Sequence, residues 1–319
     1  MMKRKLLLLF ILGQMIACQM YAGDVLMKYG DFEHWITRTV KESSLLGGHT
    51  LHLYEVGPTR TWPENKAYVN QGGSPWATSN VYAKVMGIVK GNDGVRPDVH
   101  NGGKCARLET HLLHCKAMGL ININVLAAGS LFTGELMEPV TSSKAPMTKM
   151  NAGIPFTGKP KAIKFDYRIH LSGANSRIKE IGFGSASTVG GKDECEALVL
   201  LQKRWEDKSG HIHAKRVGTM WHRFGSDTGW VNGATFPIHY GNIVNTPYYR
   251  SFMQLQKTNS PRIYCARNHK GKLVPIIEEG WDGEATPTHI IIFFNSSHGG
   301  AYVGSPGNTM WVDNVKLEY

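Results

Sequence analysis

The segment from Ile163 to Leu171 constrains this chain more than any other. Ile163, Phe165, Tyr167, Ile169 and Leu171 alternate with Lys164, Asp166, Arg168 and His170. Side chains of a β-strand point to opposite faces in turn, so this segment reads as a strand with one buried and one wet face. Residues 105–112 alternate more weakly. Residues 197–201 and 290–294 are unbroken apolar runs, the pattern of strands covered on both sides. Residues 310–319 alternate with a phase shift at Asp313-Asn314, which predicts a bulge. No window keeps a 3.6-residue period over three turns, and 36 Gly and 14 Pro punctuate the 319 residues. Many short strands between frequent turns predict an all-β sandwich or barrel.

Composition narrows the class. With 42% hydrophobic, 10% aromatic and 19% charged residues, the chain is not a disordered one. A core of this size needs neither disulfide nor metal for stability. No repeat or linker divides the sequence, so residues 23–319 read as one domain with long loops, most visibly over 58–103. The formal charge is +11, but the basic residues are scattered and form no run of five, which argues against a nucleic-acid stripe. A soluble basic surface accounts for the charge, and an acidic glycan partner is the other reading.

Residues 1–22 read as an export signal. Lys3-Arg4-Lys5 precedes the apolar run 6–12, far shorter than the roughly 20 residues of a spanning helix. Cleavage after Ala22 is expected, and lipidation at Cys18, after Met15-Ile16-Ala17, is the alternative. The chain is therefore expected in the periplasm, at the cell surface or outside the cell, with no membrane span. Four cysteines follow the leader, Cys105, Cys115, Cys195 and Cys265. Three pairings into two disulfides are open, a local Cys105–Cys115 bridge among them, and so are buried free thiols.

Five segments carry a resemblance. They are Gly30-Asp31-Phe32-Glu33-His34-Trp35; Ala127 to Gly134; Gly153 to Pro160; Thr228-Gly229-Trp230 with Thr235 to Tyr240; and Phe294-Asn295-Ser296-Ser297, Gly304 to Thr309 and Val312 to Val315. In that order the chain resembles the putative carbohydrate metabolism domain family of secreted Bacteroidetes proteins. The resemblance implies a β-jelly-roll sandwich engaged in glycan use at the cell surface, and it implies no defined reaction.

Site candidates follow from the same residues. In jelly rolls of this shape the first and last strands pair, which would bring Glu33 and Asp313 together as ligands of a structural calcium ion. Sugar C–H faces stack on exposed indoles. Trp76, Trp221 and Trp281 are the expected platform, chosen from five Trp in polar or Gly/Pro-rich stretches that also include Trp62 and Trp205. Trp35, Trp230 and Trp311 are expected in the core. Glu278 and Glu279 lie beside Trp281-Asp282 and could share a sugar cleft. His211-Ile212-His213 places two imidazoles on one strand face, without a third zinc ligand in view. The leading expectation is an exported glycan-binding protein. A glycoside hydrolase on the same fold and a structural or adhesive envelope protein are the alternatives. No GxSxG elbow or thiol-enzyme signature is present.

Overall fold

The computed structural model describes residues 23–70, 73–85, 87–117, 121–142, 145–182, 186–258, 260 and 262–319, without the side chains of 115–123. The export signal and its lipidation site lie outside the described residues, as does the Cys115 side chain. Among the described residues the only helical elements are three single 3-10 turns, so no helix is long and apolar enough to cross a membrane. The expected all-β sandwich is present.

One sheet is six-stranded. Its order is Val231–Pro237, Ala162–His170, Thr309–Glu318, Gly103–Glu109 and Val95–His100, with Asp24–Leu26 paired to Thr309–Glu318. The first and last strands do pair. The apolar face read from the sequence is buried, with Ile163, Phe165 and Ile169 at most 1% exposed, but Asp166 on the face expected to be wet is buried too. The predicted bulge is there too. Lys164 opposes Lys316, yet Asp166 opposes Asp313, and Asn314 takes up the extra residue at φ +52°, a left-handed conformation that Asn tolerates.

The other sheet is ten-stranded and curls back on itself. Ser130–Leu136 pairs with Met150–Ala152 on one side and with His289–Asn295 on the other. The circuit closes through Cys265–Arg267, Leu273–Trp281, Ile212–Phe224 and Cys195–Glu206. Strand alternation then divides the apolar runs between two cores. Ala197, Val199 and Leu201 join Ile290, Ile292 and Phe294 against the six-stranded sheet. Leu198, Leu200, Ile291 and Phe293 face the other way, into a second cluster with Ile212, Ala214 and Ile276. The unbroken runs therefore feed two cores.

Cys105, Cys195 and Cys265 are buried free thiols. Burial pushes the Cys105 thiol up to about 12 and Cys265 to about 11, so they are protonated, weakly reactive core residues.

Candidate functional site

Burial sorts the indoles. Trp76 is 1% exposed and Trp221 4%, so neither can stack on a sugar. This corrects the expected platform. Trp76 stands in a short strand whose neighbours are all buried, and its Nε1 donates to the Lys28 carbonyl at 2.9 Å. The Trp221 Nε1 donates to Glu196 at 3.1 Å. Polar flanking sequence misled here because these indoles use their N–H groups to anchor loops and buried acids. Trp281 is half-buried against the second core, with the Arg216 guanidinium 5.4 Å from its ring centre. Trp35 and Trp311 are core residues as expected, and Trp230 is half-buried on the His100 ring.

The exposed indole is Trp205, at 40%. Its strand, Cys195–Glu206, is wholly buried as far as Gln202. A register shift between Leu201 and Gln202 ends that run, and beyond it no residue of the strand belongs to the sandwich core. Trp205 pairs across the sheet with His213, and the two rings stack at 5.6 Å and 17°. The His213 Nδ1 lies 2.7 Å from Glu279 Oε1, and its Nε2 lies 3.4 Å from Asp207 Oδ2. His211 also reaches Asp207, at 2.9 Å, so the two imidazoles read from His211-Ile-His213 share one carboxylate. Backbone and side-chain hydrogen bonds from His211 hold the Asp207 carboxyl well below its usual range, so it is an anion at neutral pH. An indole face rimmed by imidazoles and carboxylates is a surface on which a pyranose can stack and hydrogen-bond at once.

Glu278 and Glu279 are not partners in one cleft. On Leu273–Trp281, Glu278 opposes Ala214 and Gly280 opposes Lys215, so Glu279 is the extra residue of a bulge, and the two side chains lie in different surroundings. Glu279 is exposed and joins the Trp205 cluster. Glu278 is fully buried and holds Arg216, Gln202 Nε2 at 2.7 Å and the Gln256 N–H at 2.9 Å. The sequence points to Glu279 and to the histidine pair, but not to Trp205 as their companion. The signal was the abrupt change from apolar run to charge after Leu201.

Asp313 has other company than Glu33. It sits with His100 and Asp166, their ligand-type atoms all within 4.8 Å of one another. His100 Nδ1 is 2.7 Å from Asp313, and Asp166 accepts from the Gly233 N–H at 2.6 Å and Asn314 Nδ2 at 2.8 Å. Trp230 stacks over His100 at 3.7 Å, and Asp166 is buried on the face expected to be wet. Burial raises the Asp313 carboxyl above its usual range, with His100 opposing the shift. Glu33 instead accepts the Lys104 N–H at 3.0 Å, steadying the turn before Gly103–Glu109.

Three pairs of carboxylates could be compared with a hydrolase, which needs two at roughly 5 to 9.5 Å with a sugar between them. Glu55 and Glu138 share Arg38, and burial pushes Glu55 up to about 7. Their cleft has a volume of about 10 Å³, room for a single water. Asp166 and Asp313 are closer than 4.8 Å and buried. Asp207 and Glu279 lie on opposite sides of His213, whose ring fills the space an anomeric carbon would need.

Among solved structures, two putative glycoside hydrolases are similar. The one from Bacteroides thetaiotaomicron VPI-5482 is 17% identical, with 92% of this chain and 71% of that chain covered and a TM-score of 0.48. The one from Bacteroides vulgatus ATCC 8482 is 15% identical, with 70% and 77% covered and a TM-score of 0.41. A non-crystalline cellulose specific carbohydrate-binding module is 10% identical, with 79% and 92% covered and a TM-score of 0.24. No curated protein matches the sequence. The sequence profile of one family matches residues 32–239, well over half of the chain, and the protein belongs to the putative carbohydrate metabolism domain family.

Proposed function

We propose that the protein is an exported glycan-binding module that captures saccharide on the Trp205 edge and does not cleave it. The carrying observation is the 40% exposed Trp205 ring, stacked on His213 and flanked by Asp207 and Glu279. Family membership supports the carbohydrate class. None of the three carboxylate pairs described above has both the spacing and the space for a sugar, which supports binding at this edge over hydrolysis there. In this reading Trp205 supplies the apolar platform, His213 positions the two carboxylates, the second ring nitrogen of His211 donates a hydrogen bond, and Asp207 and Glu279 accept them from sugar hydroxyls.

A glycan array tests it, with the purified protein beside Trp205→Ala. The wild type is expected to bind a defined glycan family. The variant is expected to bind at least about tenfold more weakly with an unchanged melting temperature, because an exposed ring contributes to binding and little to the core. A blank array, or full binding by the variant, overturns the reading.

A further inference from the structure

A second site lies away from the Trp205 edge. The hairpin Val81–Val85 and Ile88–Asn92, the hairpin His111–Ala117 and Ile121–Ala127, and the strand Ser130–Leu136 surround a cavity of about 540 Å³. That is within the size range of small-molecule sites, roughly 300–1,000 Å³. Phe132, Tyr264, Phe293, Val81, Val125 and Leu136 are among its lining residues. A saccharide covered in hydroxyls would leave those hydroxyls without partners along such walls. A hydrocarbon chain would not.

One end of the cavity is polar. Glu196 is fully buried there and is held by Arg262, Asn295 Nδ2 at 3.1 Å and Trp221 Nε1 at 3.1 Å. Arg223 Nε stands 3.6 Å from the same carboxylate, so two guanidiniums flank one acid. The Arg262 Nη2 is buried without a hydrogen-bond partner, and so is the Asn92 Oδ1 on the cavity wall. Orphaned buried polar atoms are unfavourable, and a ligand can satisfy them.

We infer that this cavity binds a single-chain amphiphile, a medium-chain acyl carboxylate, with its carboxylate on Arg262 Nη2 and its hydrocarbon along Val81, Val125 and Leu136. The inference does not depend on glycan capture at Trp205. The anionic head gives the Arg262 Nη2 the acceptor it lacks, and the apolar body removes the exposed wall from water.

Isothermal titration calorimetry with decanoate and with decanol, each below its aggregation concentration, tests it. The wild type is expected to bind decanoate saturably at one site, about tenfold or more tighter than decanol, the worth of a charge-assisted hydrogen bond. Arg262→Gln is expected to remove that preference. Val125→Phe, which fills the cavity and leaves the Glu196 cluster intact, is expected to weaken both ligands at least about tenfold. Should Arg262→Gln fail to fold, the wild-type preference and Val125→Phe still decide the matter. Absence of saturable decanoate binding, equal affinity for decanol, or unchanged binding by Val125→Phe overturns the assignment.

Discussion

The two faces of the Cys195–Glu206, Ile212–Phe224 and Leu273–Trp281 strands share a backbone and differ in nearly everything else. On the inner face Glu278 lies against Arg216 with no exposure on either side chain, and Ile212, Ala214 and Ile276 surround them. On the outer face Glu279, His213 and Trp205 are in contact with water and with one another. A bulge at Glu279 separates it from the buried Glu278, so the two have unrelated tasks despite being adjacent and identical. Charge on the inner face holds the fold, whereas on the outer face it is available to a ligand.

The largest effect that can test this division is at Glu278. Glu278→Ala leaves the Arg216 guanidinium buried without its counter-charge, and breaking such a pair destabilises by about 3–5 kcal/mol. A melt followed by circular dichroism should show a fall of roughly 10 °C in a chain of this size. Trp76→Ala is expected to be nearly as severe, about 3–5 kcal/mol, since it opens a cavity beside Phe32 and Phe294. Trp205→Ala, the same substitution on the outer face, should leave the melting temperature within about 1 °C. If all three variants melt alike, the division between faces is wrong.

Next in size is a pH effect on the neighbouring strand His289–Asn295, on the face that carries Ile291 and Phe293 into the second core. Burial and the nearby Arg204 lower the His289 imidazole to about 4, whereas an unfolded chain titrates it near 6.5. Between those values the unfolded chain binds the extra proton, so stability falls as pH is lowered across that window and then levels off. The loss is at most about 3 kcal/mol. Denaturant melts of His289→Gln from pH 7 to pH 4 should show a flatter acid limb than the wild type. Parallel limbs would show that His289 is not the group responsible.

Much of the architecture was legible because it rests on period two. The Ile163–Leu171 alternation, the buried runs at 197–201 and 290–294 and the bulge at Asp313-Asn314 all appear where the pattern places them. The closure of the ten-stranded sheet was not legible, since pairing of Ser130–Leu136 with His289–Asn295 joins segments more than 150 residues apart and leaves no local trace. The site was half legible. Glu279, His211 and His213 carry their chemistry in their residue types. Trp76 and Trp221 resembled platforms because their neighbours are polar, yet burial follows from which strand lies across them, and no single segment encodes that. His100 joins Asp166 and Asp313 for the same reason, through three strands distant in sequence.

A smaller effect separates charge from stacking on the outer face. Glu279→Gln keeps an acceptor beside His213 and removes the negative charge. Exposed ion pairs contribute about 0–1 kcal/mol, so stability should hardly move. Glycan affinity should fall by a few-fold, and less than in Trp205→Ala, if stacking dominates and the carboxylate refines orientation. Equal losses in the two variants, measured by calorimetry on the same glycan, would instead make the carboxylate the main contact.

The smallest expected effect concerns calcium. A calcium ion takes six to eight oxygen ligands. Around Asp313 the structure offers one imidazole and two carboxylates, already hydrogen-bonded to one another, to Asn314 and to the Gly233 N–H, while Glu33 is engaged at Lys104. The His100 Nε2 faces Asn232 at 3.2 Å, so the ring is held from both sides. Such a set is held as a hydrogen-bonded cluster, and water would have to complete a calcium shell around it. Dialysis against chelator followed by added calcium should therefore shift the melting temperature by less than about 1 °C. Asp313→Asn should lower it by several degrees with or without the ion, because the substitution removes the anion that His100 contacts inside the sheet. A calcium-dependent rise in the wild type that Asp313→Asn abolishes would make this cluster a metal centre, and His100 would then have to turn away from Asp313 to admit the ion.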